Sequence, residues 1–208
     1  MNAEPQIKKG RKYDQVIAGA REVFMREGFE GASVDVIARD SGVSKATLYS
    51  YFPDKQHLFL AVLRMECDIQ ERASMDIEFE QKSVADGLYH IASHMLAFLL
   101  SDAGLAIFRV CVAEAQRFPE LGCAFYETGP KTAMAQLASY LESPKAQAEL
   151  DIDDTRKAAD LFMQLLRGDL MLRRLMGVAQ VPDEAEIHQA ATDAVQNFLA
   201  RYRRLATI

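Results

Sequence analysis

Apolar residues recur along the chain at helical spacing. Between residues 14 and 27 they fall at positions i, i+1, i+4, i+7 and i+8, which is one stripe of an amphipathic helix. These residues are Val16, Ile17, Ala20, Val23 and Phe24. Gly28 is placed to end this helix. A shorter helix is predicted next, with Ser33 as its N-cap and Gly42 at its end.

The stretch GVSKATLYSYFPDK, residues 42–55, combines hydroxyl, aromatic and basic side chains in a way that core segments rarely do. Ser44 is a predicted N-cap for a helix of about two turns over residues 45–52. Pro53 and Asp54 interrupt that helix, and Asp54 can cap a fourth helix over residues 55–77.

The rest of the chain keeps the helical period. It predicts helices over residues 84–100, 105–117, 119–141, 156–175 and 184–205. Gly129-Pro130 should bend or break the third of these. The polar segment 142–155 is predicted to be a loop, with Asp154 or Thr155 capping the next helix. Because no alternating strand pattern appears, the sequence predicts an all-α fold.

Charge is distributed unevenly along the 208 residues. The net charge is −6, but residues 1–55 hold nine basic and eight acidic residues, a balance of +1, against fifteen and twenty-two, or −7, in the remainder. KKGRK at residues 8–12 places four cations in five positions. An acidic body with a locally basic head is compatible with nucleic-acid binding, which the net charge alone would argue against.

Other candidate chemistry is weaker. The three cysteines, Cys67, Cys111 and Cys123, are odd in number and far apart, so neither a disulfide framework nor a zinc knuckle is predicted. Cys67 and Cys111 lie in apolar helix stripes and are interpreted as small buried hydrophobes, and oxidant sensing by the cysteines is the alternative. His90 and His94 share a helix face at the i, i+4 spacing that can bind a metal, but a third ligand is missing nearby. We predict no metal, no cofactor and, since no catalytic motif is present, no enzymatic activity.

Two short helices joined at Gly42-Val43-Ser44 describe a helix-turn-helix. A helix that enters the major groove needs small, hydrogen-bonding side chains, while longer neighbours reach flanking phosphates. Tyr49, Tyr51 and Lys55 have that reach. The candidate DNA-binding residues are Lys8, Lys9, Arg11, Lys12, Ser33, Ser44, Lys45, Ala46, Thr47, Tyr49, Ser50, Tyr51 and Lys55.

The same segment resembles the DNA-binding head of the TetR/AcrR family of bacterial regulators. GRKYDQVIAGAREVFMREGF, GASVDVIARDSGVSKA and TLYSYFPDK are similar to that head from about residue 10 to residue 63. AEAQRFPELGCAFYETG resembles the AefR-like branch. The resemblance implies a head of three helices within residues 1–54 and a larger ligand-binding and dimerisation domain of about nine helices over residues 55–208.

It also implies a homodimer on a palindromic operator, released by a small-molecule effector. The last two body helices would pair with those of the partner. The candidate interface residues are Leu161, Leu165, Gly168, Leu172, Ala194, Phe198 and Tyr202. Aromatic and Met residues, with a few polar ones, could line an effector pocket in the body. The candidates are His94, Met95, Phe98, Phe108, Arg109, Phe125, Tyr126, Met134, Phe162 and Met163.

Two alternative hypotheses about function remain open. Within the DNA-binding class, the protein could be an activator or act without a ligand. Outside it, a cytosolic helical adaptor or ligand-binding protein could use its head on a protein partner, and salt-sensitive DNA binding separates the two classes. The N-terminus has no apolar run of signal-peptide type and no segment has membrane-spanning length, so a cytoplasmic location without membrane contact is expected.

Overall fold

The computed structural model describes residues 10–75 and 83–204, with side chains described for residues 10–69 and 83–204. Over these residues the chain forms twelve α-helices and no β-strand, which confirms the predicted all-α fold. The helices are α1 (Arg11–Gly31), α2 (Val34–Asp40), α3 (Lys45–Tyr51), α4 (Lys55–Met75), α5 (Val84–Leu99), α6 (Asp102–Glu114), α7 (Pro119–Thr128), α8 (Pro130–Leu141), α9 (Pro144–Glu149), α10 (Thr155–Leu166), α11 (Asp169–Leu175) and α12 (Glu184–Tyr202). No single helix among them is long and apolar enough to cross a membrane, and α5 and α6 reach that length and composition only as a pair.

The described residues fall into two compact units. The first unit takes its residues from Met1–Asp68 and Ala106–Ala124, and the second unit from Ile69–Leu105 and Phe125–Ile208. Three helices, α4, α6 and α7, contribute residues to both units. The predicted functional division into residues 1–54 and 55–208 stays a prediction.

The core of the first unit is built on the apolar stripe of α1. All five predicted stripe residues, from Val16 to Phe24, are at most 4% exposed. The Phe24 ring meets the Phe59 ring of α4 edge-on at a centroid distance of 5.1 Å. Burying each large apolar side chain of this kind contributes about 1.5–3 kcal/mol, so the stripe fixes how α1 lies against its neighbours.

The core of the second unit lies between α5, α8, α10 and α12. α12 packs on α5 and α10, and α10 also packs on α8. Phe162 of α10 and Phe198 of α12 are fully buried, and their rings meet edge-on at 5.2 Å. Such packing stabilises the helices because each apolar face is buried against the apolar face of a neighbouring helix.

Arg174 joins the connection between α5 and α6 to the segment after α11. Its side chain is buried, and its Nε donates to the Leu100 carbonyl at 3.2 Å. The two other guanidinium nitrogens donate to the Ala179 carbonyl at 3.2 Å and to the Asp102 carboxylate at 2.8 Å. The end of α5, the start of α6 and the segment after α11 are therefore joined through one side chain.

Several predicted element boundaries need correction. The break at Gly129 is confirmed, since α7 ends and α8 begins there. The predicted continuous helix over 156–175 is wrong, because Gly168 has ψ −166° and separates α10 from α11. The predicted loop over 142–155 is also wrong, since it contains α9, which is capped by Ser143 and buries Ala146. The helix predicted over 105–117 begins three residues earlier, at Asp102.

Candidate nucleic-acid interface

The connection between α2 and α3 is a closed, hydrogen-bonded turn. Gly42 has φ +65°, a backbone angle that glycine adopts without a steric penalty. The Gly42 N–H donates to the Arg39 carbonyl at 3.0 Å, and the Val43 N–H donates to the Ala38 carbonyl at 3.0 Å. This pair of bonds is a Schellman motif, in which the end of a helix satisfies its own last carbonyls. The predicted helix-turn-helix is therefore present.

The start of α3 is capped as predicted. The Ser44 hydroxyl accepts a hydrogen bond from the Thr47 N–H at 3.1 Å, and the two hydroxyl oxygens lie 2.9 Å apart. The Ser50 hydroxyl donates to the Thr47 carbonyl at 2.6 Å. On the opposite side, Leu48 is fully buried and Phe52 is 3% exposed, so α3 is held by its apolar face.

The face of α3 that points to solvent carries the predicted residues. Lys45, Ala46, Tyr49 and Ser50 are exposed, and Thr47 and Tyr51 are half-buried. The Tyr51 ring meets the Tyr13 ring of α1 edge-on at 5.7 Å. The exposed face therefore begins with short or polar side chains, and the Tyr49 side chain on it is 49% exposed.

The cations near α3 differ in what they contact. Lys45 forms an ion pair with Asp35 of α2, and both side chains are largely exposed, so the pair is weak in water. Arg11 and Lys12 are exposed in the first turn of α1. Lys8 and Lys9 lie outside the described residues.

The hydroxyl of Ser33 has a structural role. It accepts a hydrogen bond from the Asp35 N–H at 3.2 Å and so caps α2, as the sequence predicted. Its place in the DNA-binding set stays a prediction.

Asp54 caps the start of α4. Its carboxylate accepts from the His57 N–H at 2.9 Å and lies 2.8 Å from His57 Nδ1. Burial alone would raise the pKa of Asp54, but the hydrogen bonds from His57 outweigh it and hold the pKa below its usual value. The Asp54 carboxylate is therefore charged at neutral pH and fixes where α4 begins.

The Lys55 side chain contacts backbone carbonyls, which the sequence did not predict. Its ammonium is turned toward the end of α1 and is 2.6 Å from the Phe29 carbonyl. The side chain is half-buried, so its contact with a phosphate stays a prediction and faces competition from these backbone acceptors.

The candidate pocket residues occupy different environments. Phe162 and Met163 are buried in the core of the second unit, and Met95 and Met134 pack against the same core. Tyr126 is 51% exposed. His94, Phe98 and Phe125 are half-buried in the second unit, whereas Phe108 and Arg109 belong to the first unit. The pocket assignment stays a prediction.

The candidate dimer residues divide in a similar way. Phe198 is fully buried and Ala194 is 3% exposed, so both belong to the core of their own chain and offer little surface to a partner. Leu161, Leu165 and Tyr202 are half-buried. Leu172 is 54% exposed, and Gly168 is also exposed. The dimer interface stays a prediction, with Leu172 as its most accessible large side chain.

The histidine and cysteine candidates can now be located. The ring centroids of His90 and His94 lie 4.4 Å apart, and among the side chains described, those of residues 10–69 and 83–204, no group of three metal-ligating residues is found. Burial, with a smaller effect of nearby Cys67, raises the pKa of Cys111 to about 12. Its thiol is therefore protonated at neutral pH and is a poor candidate for an oxidant sensor.

Sequence reasoning missed two residues that shape α3. Tyr13 packs on Tyr51 and also on Phe52, at a ring distance of 5.3 Å. Asp35 pairs with Lys45. Asp35 lies in the first turn of α2, and the rest of that helix separates it from the turn that leads into α3. No local sequence signal pairs Tyr13 with a residue almost forty positions away.

Two family profiles match separate parts of the chain. Residues 16–62 match the profile of the bacterial regulatory proteins of the tetR family. Residues 86–204, more than half of the chain, match the profile of the AefR-like transcriptional repressor C-terminal domain.

Two solved structures resemble the chain over nearly its full length, and a curated relative resembles about half of it. A TetR-family transcriptional regulator from Mesorhizobium loti has a TM-score of 0.82 and 29% identity, covering 96% of this chain and 100% of that one. The flavonoid-responsive regulator FrrA has a TM-score of 0.76 and 35% identity, covering 95% and 100%. The fatty acid metabolism regulator protein of Bacillus subtilis is 31% identical over 100 residues, which are 48% of this chain and about half, 51%, of that relative.

Proposed function

Because the chain belongs to the TetR family of bacterial regulators and has an AefR-like C-terminal domain, we propose that it is a DNA-binding transcriptional regulator. In finer detail, it is a homodimeric repressor that binds a palindromic operator and leaves it when a small apolar ligand binds. TetR-family regulators are DNA-binding proteins without enzymatic activity, which agrees with the lack of a catalytic motif in the sequence.

The geometry of α2, the Schellman turn and α3 carries the proposal. The buried side chains of Leu48 and Phe52 hold α3 against the core, so its exposed face is held in place. Ala46 and Thr47 are short enough to let the helix approach base edges, and a hydroxyl group can donate to or accept from a base edge. α3 therefore fits the role of the helix that enters the major groove.

A homodimer would present two copies of α3 to the same side of the duplex. Two such helices read half-sites whose centres are about 34–36 Å apart, one helical turn of DNA. The operator should therefore be an imperfect palindrome. The exposed cations Arg11 and Lys12, with Lys8 and Lys9 before them in the chain, add attraction to phosphates that weakens as salt rises.

The effector is proposed to be apolar and to bind within the C-terminal domain. Support comes from the relatives: FrrA is named as flavonoid-responsive, and the Bacillus subtilis protein as a regulator of fatty acid metabolism. Half-buried aromatic side chains such as Phe98 and Phe125 suit either an aromatic ring system or an acyl chain. The ligand can release DNA only by as much as it favours the DNA-incompetent conformation.

The test is selection from a random duplex DNA library by the purified full-length protein, followed by sequencing of the retained DNA. An enriched palindrome supports the proposal, and a titration of its complex with quercetin and with palmitoyl-CoA then tests the effector class. Release by one compound supports the repressor mechanism. If the folded protein enriches no duplex at low salt, with or without these compounds, the DNA-binding function is contradicted and a protein partner for the head becomes the better explanation.

A further inference from the structure

α1 ends in an interrupted turn. Gly28 has φ +72° and ψ −179°, which lie outside the helical region. Beyond this kink the helix continues to Gly31. The Ala32 N–H donates to the Gly28 carbonyl at 3.2 Å. Carbonyls at the end of a helix lack partners within that helix and carry partial negative charge. The end of α1 is therefore a place where a cation or donor from elsewhere is stabilising.

The ammonium group of Lys55, the first residue of α4, lies at the end of α1. Its Nζ lies 2.6 Å from the Phe29 carbonyl and 3.3 Å from the carbonyls of Glu30 and Ala32. A lysine ammonium has three N–H donors and no acceptor. Three carbonyl oxygens therefore match its full donor capacity, and hydrogen bonds from a charged donor are about twice as strong as neutral ones.

The Phe29 ring adds a second contact to the same ammonium. Lys55 Nζ lies 4.6 Å from the ring centroid, within the range of a cation–π interaction. The ring is 5% exposed and is held edge-on by Phe59 at 5.5 Å and by Phe118 at 6.0 Å. The acceptors around Lys55 are therefore fixed by a packed aromatic cluster.

We propose that Lys55 is a positioning residue that fastens the start of α4 to the end of α1, and that it does not act as a phosphate contact. A phosphate could recruit the ammonium only by displacing three carbonyls and the Phe29 ring. The inference rests on the proposed DNA-binding function, because its consequence is the placement of the helix that reads DNA.

That placement follows from the short connection between α3 and α4. Only residues 52–54 join the two helices, and Phe52 is buried. A displacement of the start of α4 is therefore passed to the end of α3. Because base contacts depend on small differences in position while general phosphate attraction does not, loss of Lys55 should reduce sequence preference more than overall DNA attraction.

The experiment compares Lys55→Met with Lys12→Met in the full-length protein, at a temperature where circular dichroism shows that both are folded. Lys12 is an exposed cation in the first turn of α1 and serves as the matched control. Affinity is measured for the selected operator and for an unrelated duplex over a series of salt concentrations. Lys55→Met should weaken operator binding about tenfold, with little change on unrelated DNA and an unchanged salt slope. Lys12→Met should weaken both duplexes alike and lower the slope by about one.

Equal losses on both duplexes, with a slope lowered by about one for Lys55→Met, would overturn the proposal and make Lys55 a phosphate contact. If Lys55→Met does not fold, Lys55→Arg replaces it, since arginine keeps the charge but has a planar donor geometry. Reduced operator preference in Lys55→Arg supports positioning, and unchanged preference contradicts it.

Amide hydrogen exchange separates this inference from the proposed function. Faster exchange at residues 28–33 in Lys55→Met than in the wild type supports the anchoring even if the wild-type protein selects no duplex. Unchanged exchange there contradicts the anchoring itself.

Discussion

The side chains of α3 divide into those that hold the helix and those that face solvent. Leu48 and Phe52 supply the buried side, and the Ser44 hydroxyl caps the first turn through the Thr47 N–H. The Thr47 hydroxyl lies 2.9 Å from that of Ser44 and is not needed for the cap itself. Thr47 is therefore the residue at which a change can alter recognition while the fold is kept.

We expect Thr47→Ala to change sequence preference at one base pair of each half-site and to weaken operator binding about fivefold, the worth of one hydrogen bond. Binding to unrelated DNA should be unchanged. The measurement is competition binding against a panel of single-base operator variants. Thr47→Ser, which keeps the hydroxyl, is the matched control. Equal losses on all sequences for Thr47→Ala would contradict a base-reading role.

Helix starts are the features of the elements that the sequence specifies most directly. Ser33, Ser44 and Asp154 each cap the helix for which the sequence predicted them. The reason is local, because a cap is a bond between a side chain and an N–H two or three residues away. Of the two candidates that the sequence left open, Asp154 rather than Thr155 is the cap of α10.

The cap at Asp154 should make stability depend on pH. Its carboxylate accepts from the N–H groups of Arg156 and Lys157, both at 3.1 Å. The backbone bond from Lys157 is the main cause that holds the pKa of Asp154 below its usual value. A pKa lower in the folded than in the unfolded state adds stability at neutral pH, and that stability is lost as pH falls through the folded pKa.

Asp154→Ala should therefore lower Tm at pH 7, and the difference from wild type should shrink below about pH 4, where the carboxylate becomes protonated. Thermal unfolding followed by circular dichroism at several pH values is the measurement. Asp153→Ala, a change at the neighbouring exposed carboxylate, is the control and should have little effect. A Tm difference that stays constant down to pH 2 would contradict a charge-dependent cap.

Helix interruptions were harder to predict than helix starts. Gly129-Pro130 was recognised because proline removes a donor, whereas the break at Gly168 was missed because the apolar period continues across it. α9 was missed because it is only six residues long and buries one of them, Ala146, which is too little for an apolar period. α9 packs on α5 and α8, and a local pattern does not contain such contacts.

At the scale of the whole molecule, an exposed apolar surface lies on α11 and the segment after it. Leu172, Met176, Val178 and Val181 are each more than half exposed. Large exposed apolar side chains close together in a protein commonly mark an interaction site. Leu172 is also among the residues predicted for the dimer interface, so it is the position to test.

Leu172→Asp should convert the proposed dimer into monomers that keep their helical content and bind the operator poorly, because one subunit presents only one copy of α3. Sedimentation equilibrium and circular dichroism measure the two properties. Val112→Asp is the matched control, since Val112 is 59% exposed but lies on α6 outside the predicted interface. A Leu172→Asp protein that remains a dimer would contradict this interface.

The sequence by itself determined the helical class, the caps and the helix-turn-helix, because these depend on periodicity and on bonds between residues two to five apart. Tertiary structure decided which apolar residues of the C-terminal helices are core and which are surface. Phe198 and Leu172 were both predicted to lie in the dimer interface, yet Phe198 is fully buried and Leu172 is 54% exposed. It also decided the environment of Lys55, since the carbonyls that it contacts are more than twenty residues away and reach it only when α1 and α4 pack.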